Sequence, residues 1–175
     1  YEMKYRLVGS VMCIRDRACS APWPEADGLV SDRGSQSLWV CGADCTPVLI
    51  ADPTTGHTAA CHAGWRGVAA RILPTAVDHL EARGASRDDL VVALGPAVSG
   101  ARYQVGDDVV TAIAASIGSV SNGRTALVEA GAVQVDPEPG RYRFDLRMAT
   151  VLQLEHAGLN LAVSYTHLTL PTKQM

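Results

Sequence analysis

Two apolar runs, PVLIAD (Pro47–Asp52) and HTAACHA (His57–Ala63), flank a short polar stretch that contains Pro53 and Gly56. Apolar runs of this length bounded by Gly, Pro or Asp read as buried strands, and Pro and Gly supply the backbone angles of a tight reversal. The pair therefore predicts an antiparallel hairpin, which constrains the fold more than any other feature of the chain. A helix is expected directly after it, because Ala69, Ile72, Leu73, Ala76, Val77 and Leu80 repeat with the spacing of one buried helix face. Pro74 falls inside that pattern and lacks an N–H, so it kinks the helix or restarts it as a first-turn residue, and Gly84 ends it.

Two further strands are expected at SLWVCGA (Ser37–Ala43) and LVVALG (Leu90–Gly95). Two further helices are expected at Val105–Ile117 and Asp145–Ala157, the second with Asp145 as its N-cap and Gly158 as its stop. No internal repeat, low-complexity tract or linker interrupts the pattern. Strands beside helices with a hairpin at the centre predict the α+β class: a layered sandwich with a mixed β-sheet flanked by helices.

At 175 residues the chain is the size of a single domain. The net charge is −3, and Arg66, Arg71, Arg83, Arg87 and Arg102 are scattered without aromatic interleaving. This pattern suggests neither a nucleic-acid groove nor an anionic membrane surface, and it favours a small-molecule partner. No run approaches the roughly 18 to 20 apolar residues of a membrane span, and no secretory leader pattern is present, so the cytoplasm is the expected compartment. The five cysteines, Cys13, Cys19, Cys41, Cys45 and Cys61, are odd in number and lack the Cys-x-x-Cys spacing of a zinc ribbon. Reduced thiols are expected, each by default a small buried hydrophobe.

The ends read differently from the middle. Tyr1–Arg17 shows no sustained period, and Ser164–Met175 breaks off abruptly from a helical pattern. Both resemble peptides translated from sequencing-adapter DNA. The expectation is one domain over residues 18–163, cut at both ends, with non-native segments at 1–17 and 164–175.

The stretch CHAGWRG (61–67) carries the chemistry. On a strand, alternation sends Cys61 and His62 to opposite faces, so Cys61 joins the core with Ala59 while His62 reaches the strand's end. Arg66 and the backbone of Gly64 and Gly67 follow at a helix start, an arrangement that favours an anion. Trp65 either packs on the core or stacks on a planar ring. Asp44 and Cys45 precede the Pro47 run, so pairing of the strands would bring Cys45 beside His62. Cys45 is then either a thiolate nucleophile with His62 as its base or, with His62, a ligand of a catalytic zinc. A core cysteine with a satisfied histidine is the plainer alternative, and spacing does not choose among the three.

The segments PEADGLVSD, GADCTPVLIADP, HAGWRG, GPAVSGARYQVGDDV and FDLRMATVLQLEHAGL occur in that order. Together they resemble the bacterial multicopper polyphenol oxidoreductase (laccase-like) family, better described as purine nucleoside phosphorylases with adenosine deaminase activity. The resemblance covers nearly all of residues 18–163. It implies a zinc ion held by Cys45, His62 and a further histidine on an upstream segment that this sequence lacks; His57, His79, His156 and His167 do not match that position. The family's closing basic segment is missing too. GPAVSGARYQVG lacks cysteines found in many relatives but keeps Gly95, Pro96, Tyr103, Val105 and Gly106.

The activity implied is phosphorolysis of adenosine, inosine and methylthioadenosine to base and ribose 1-phosphate, together with deamination of adenosine. Purine nucleoside and phosphate are the implied partners, with phosphate placed at Arg66, Gly64 and Gly67 from charge and position. Copper, with oxidation of phenols, is the alternative carried by the older family label. A third expectation is an inactive fragment that lacks one metal ligand.

Overall fold

The structure, a computed structural model, describes residues 26–31 and 37–161 and the backbone of 12–15. Apart from that short backbone stretch, the segments expected to be non-native lie outside the described residues.

The hairpin forms as expected: β3 (Thr46–Ala51) pairs antiparallel with β4 (Thr58–Ala63), setting Val48 opposite Cys61 and Ile50 opposite Ala59. Its turn is organised by Asp52, whose N–H donates to the His57 carbonyl at 2.9 Å and whose carboxylate accepts from the Thr54 N–H at 2.9 Å and the Thr55 hydroxyl at 2.6 Å. Gly56 closes the reversal at φ 74°, a conformation that suits a residue without Cβ. β2 (Gly28–Ser31) pairs antiparallel with β4, and β5 (Val91–Leu94) antiparallel with β3. β1 (Met12–Arg15) runs parallel to β2, so the five-stranded sheet is mixed, in the order β1-β2-β4-β3-β5.

One face of this sheet carries Val30, Val48, Ile50, Ala59 and Cys61, each at most 1% exposed. Against it lies α2 (Ile72–Glu81), which buries the apolar stripe read from the sequence. Pro74 is the third residue of α2, where its missing N–H has no intrahelical partner to lose. The restart comes at Arg71, which adopts φ 64° and separates α2 from the short α1 (Trp65–Ala69). Gly84, at φ 91°, follows the end of α2 as expected.

Ser37–Ala43, expected as a strand, forms no strand, and its Trp39 is 83% exposed. Both flanks of the hairpin are taken, by β2 and β5, so the run has no place directly beside the hairpin strands.

The C-terminal half adds elements beyond those anticipated. A three-stranded antiparallel sheet, β6-β8-β7, is built from β6 (Gln104–Gly106), β7 (Val133–Val135) and β8 (Arg141–Phe144). The helix expected from Val105 starts at Asp107, as α3 (Asp107–Ile117), because Val105 and Gly106 pair with β8 instead. It is followed by α4 (Val120–Glu129), which was not anticipated. In α5 (Leu146–His156) the Asp145 carboxylate caps the first turn, accepting from Arg147 N–H at 3.0 Å and Met148 N–H at 3.2 Å. Gly158 follows that helix at φ 88°. The class is α+β, and a single apolar core joins the larger sheet to all five helices and to the small sheet through Val105, Val133 and Phe144.

Candidate functional site

Gly64 alone separates β4 from α1, so the chain passes from strand to helix within one residue beside His62. Alternation along β4 works as the sequence predicts. Cys61 is fully buried in the core, while His62 faces the other side of the sheet, in register with Pro47. A Cβ built on Gly64 would lie 3.1 Å from Cys45 Sγ and 3.4 Å from His62 Cε1. The thiol and the imidazole thus converge on one point, and glycine leaves the space between them open.

Asp27 completes the histidine's surroundings. It is 7% exposed, its carbonyl accepts the His62 N–H at 2.7 Å, and its carboxylate Oδ1 lies 3.7 Å from His62 Nδ1. Burial pushes the Asp27 carboxyl above its usual range, and the nearby His62 pulls it back down. Burial likewise raises the Cys45 thiol, helped by the negative charges of Asp44 and Asp27. Raised in this way, Cys45 is a neutral thiol at pH 7. That disfavours a standing thiolate–imidazolium pair, whereas a metal ion would invert the balance and deprotonate the sulfur.

Arg66 is exposed, with its guanidinium carbon 4.4 Å from the centre of the Trp65 ring, a cation–π stack. Among the described residues no carboxylate pairs with it. Trp65 is partly buried against the core and so combines packing with a stacking surface. Gly67 is buried, and a Cβ there would meet the His62 carbonyl oxygen at 3.2 Å and Ile72 Cγ2 at 3.5 Å; close approach of α1 to β4 explains the glycine.

Tyr103 enters from the second sheet, tethered by its carbonyl to the Phe144 N–H at 2.9 Å and by an edge-on ring contact with Phe144 at 6.5 Å. Burial and the Cys45 sulfur raise its hydroxyl pKa while Arg66 lowers it, and the net rise keeps the phenol protonated. Sequence reasoning assigned Cys45, His62, Gly64, Arg66 and Gly67 to the site, named Tyr103 only as a retained residue, and gave Asp27 no role. Asp27 was detectable as the acid immediately before the GLV run that becomes β2. Among the described residues no third His, Cys, Asp or Glu joins Cys45 and His62 in a metal-binding group.

A cysteine and a histidine converge at a strand end on an α+β scaffold, beside an arginine at a helix start with which no carboxylate of the described residues pairs. The chain belongs to the family described as multi-copper polyphenol oxidoreductase laccase, which matches residues 8–173. It is 43% identical over 143 residues to the purine nucleoside phosphorylase slr1573 of Synechocystis sp., covering 77% of this chain and 54% of that protein. It is 32% identical over 136 residues to the adenosine deaminase RL5 of an unknown prokaryotic organism, covering 78% and 48%. Among solved structures, the Bacillus licheniformis hypothetical protein YfiH superposes with a TM-score of 0.64 at 32% identity, covering 77% of this chain and 47% of that one. The chain spans about half the length of the curated relatives it matches. Among the described residues no helix is long and apolar enough to cross a membrane.

Proposed function

We propose that this chain carries part of the active site of a purine nucleoside phosphorylase with adenosine deaminase activity. Cys45 and His62 hold a zinc ion, and Arg66 with the backbone of Gly64 and Gly67 receives phosphate. The observation that carries the reading is the convergence of Cys45 Sγ and His62 Cε1 on the open space at Gly64. A thiolate and an imidazole are donors that suit zinc and copper alike. Zinc bound there supplies Lewis-acid polarisation of a substrate group.

The chain's own residues provide the remainder. The guanidinium of Arg66, unpaired with any carboxylate of the described residues, offers two parallel donors to a phosphate oxygen pair, and its stack on Trp65 limits its freedom before the anion arrives. Tyr103, protonated at neutral pH, offers a hydroxyl donor within the electrostatic reach of both Cys45 and Arg66. Adenosine, inosine and methylthioadenosine are the substrates of this reading, and a reducing cytoplasm, which keeps Cys41 and Cys45 as thiols, is its compartment.

The test is adenosine with phosphate, with and without added zinc, on the 175-residue chain and on a version extended with the upstream histidine segment of a relative. Adenine, inosine and hypoxanthine are resolved by chromatography. The expected result is adenine and ribose 1-phosphate from the extended protein, abolished by Cys45→Ala and by His62→Ala. Absence of any nucleoside product from the extended protein, with oxygen uptake on a phenol after copper loading, overturns the reading in favour of the oxidase.

A further inference from the structure

Asp27 is a buried carboxylate held against the site histidine at two points, and nothing in the reaction outlined above uses it. We infer that Asp27 is the positioning residue of His62: it holds the imidazole as the Nδ1–H tautomer and so leaves Nε2, the nitrogen on the other side of the Cε1 that faces Gly64, with the lone pair. The inference rests on the reading of Cys45 and His62 as metal ligands only for its consequence; the tautomer itself does not depend on that reading.

Three observations carry it. The 2.7 Å bond from the His62 N–H to the Asp27 carbonyl fixes the two backbones in the register that also pairs Gly28 with Cys61. Directly opposed residues of paired strands project to the same face, so the Asp27 and His62 side chains share the face opposite Cys61. On that face the carboxylate Oδ1 lies 3.7 Å from Nδ1, an ion-pair distance just beyond a direct hydrogen bond. Asp27 is 7% exposed, so water does little to screen the contact.

A carboxylate only accepts hydrogen bonds, so the neutral imidazole places its N–H toward Asp27, at Nδ1. The lone pair is then on Nε2, the nitrogen free to act as a ligand or a base. A carboxylate behind a ligating histidine also raises the basicity of the ligand and fixes its ring plane.

The test uses the full 175-residue chain and Asp27→Asn, which keeps the volume of the side chain but can turn its NH2 toward Nδ1. The His62 tautomer is read from imidazole 15N shifts and long-range 1H–15N correlations near neutral pH. Zinc affinity is read by competition with a chromogenic chelator. In the wild type the expected result is a proton on Nδ1; in folded Asp27→Asn, the proton moves to Nε2 or spreads over both nitrogens, and zinc affinity falls about 10- to 100-fold.

A wild-type proton on Nε2 overturns the inference, and that measurement needs no variant to fold. An unchanged tautomer and unchanged zinc affinity in folded Asp27→Asn overturn it equally. Zinc binding by neither protein counts against the metal reading of Cys45 and His62, while the tautomer still decides the role of Asp27.

Discussion

At the scale of single residues the site depends on what Gly64 leaves out. Its backbone, at φ −76° and ψ 166°, is open to any amino acid, so a methyl group there meets no conformational penalty. It meets Cys45 Sγ at 3.1 Å instead, and the thiol must turn away from His62. Gly64→Ala is therefore expected to leave stability within about 1 kcal/mol of the wild type in urea titration. Its zinc affinity should nonetheless drop by about tenfold or more, measured by chelator competition; equal affinity would mean that the two donors do not share a metal. Cys61, one position before His62, behaves oppositely. Burial pushes its thiol from 9.0 up to about 12. Between those values the unfolded chain binds fewer protons than the native one, so stability is constant below the lower value and declines above it, by at most about 1.4 kcal/mol per pH unit. Urea midpoints measured from about pH 8 to about pH 10.5 should fall more steeply for the wild type than for Cys61→Ala. This division of labour was legible in the sequence, because strand alternation sends neighbours to opposite faces. Asp27 and Tyr103 were given no role there, because each stands immediately before a short strand, β2 or β6, that the sequence pattern did not announce.

Among the elements, the ones read correctly are those with strong local signals. The hairpin has two apolar runs and a Pro/Gly turn, α2 has a continuous buried stripe, and α5 has an aspartate cap and a glycine stop. What escaped is specified by distant contacts. The α4 sequence VSNGRTALVE opens with Ser, Asn and Gly, which locally favour a turn, and buries only Gly123 and Leu127. It is helical because it packs on α3, and Gly123 is the point of closest approach: a Cβ there would lie 2.1 Å from the Ala114 carbonyl oxygen. Intrinsic propensity alone says that Gly123→Ala should stabilise a helix by about 1 kcal/mol. Packing says that the helices must move apart, at about 2–3 kcal/mol. The second effect is the larger, so the variant is expected to lower the urea midpoint, and a raised midpoint would show that α3 and α4 do not meet there. The small sheet escaped for a related reason. RYRF (141–144) carries two arginines and acquires its strand state from pairing with β6 on one side and β7 on the other.

Over the whole molecule, the larger sheet with α1 and α2 is held to the smaller sheet with α3, α4 and α5 by the common apolar core, and one buried amide bridges the two groups within it. Gln153 of α5 is 1% exposed, and its Nε2 donates to the Val68 carbonyl of α1 at 2.7 Å and to Ser116 Oγ of α3 at 2.8 Å. Ser116 passes its own proton to the Ile113 carbonyl at 2.7 Å, and the Arg71 guanidinium donates to the Ser116 carbonyl at 2.7 Å. The network thus fixes the end of the short helix that carries Trp65 and Arg66, and it spans 85 positions of sequence, a separation at which no local pattern could name the partner. Gln153→Leu keeps the volume but removes one of the two donors on the Val68 carbonyl, which retains the Arg71 N–H at 2.9 Å, and takes the donor from Ser116 Oγ, at about 0.5–1.5 kcal/mol per hydrogen bond lost. Gln153→Glu sets a carboxylate against two acceptors in a dry site and should cost more, unless it takes up a proton. The order expected from urea unfolding near neutral pH is wild type, then Leu, then Glu, with the Glu variant regaining stability as the pH falls and its carboxyl protonates. Because α1 is released at the same time, Trp65 should gain exposure in the folded Leu variant, read as a red shift of its emission against a Trp65→Phe control. An unshifted spectrum in a destabilised variant would confine Gln153 to the core and leave the placement of Arg66 to the close contact of Gly67 with the His62 carbonyl.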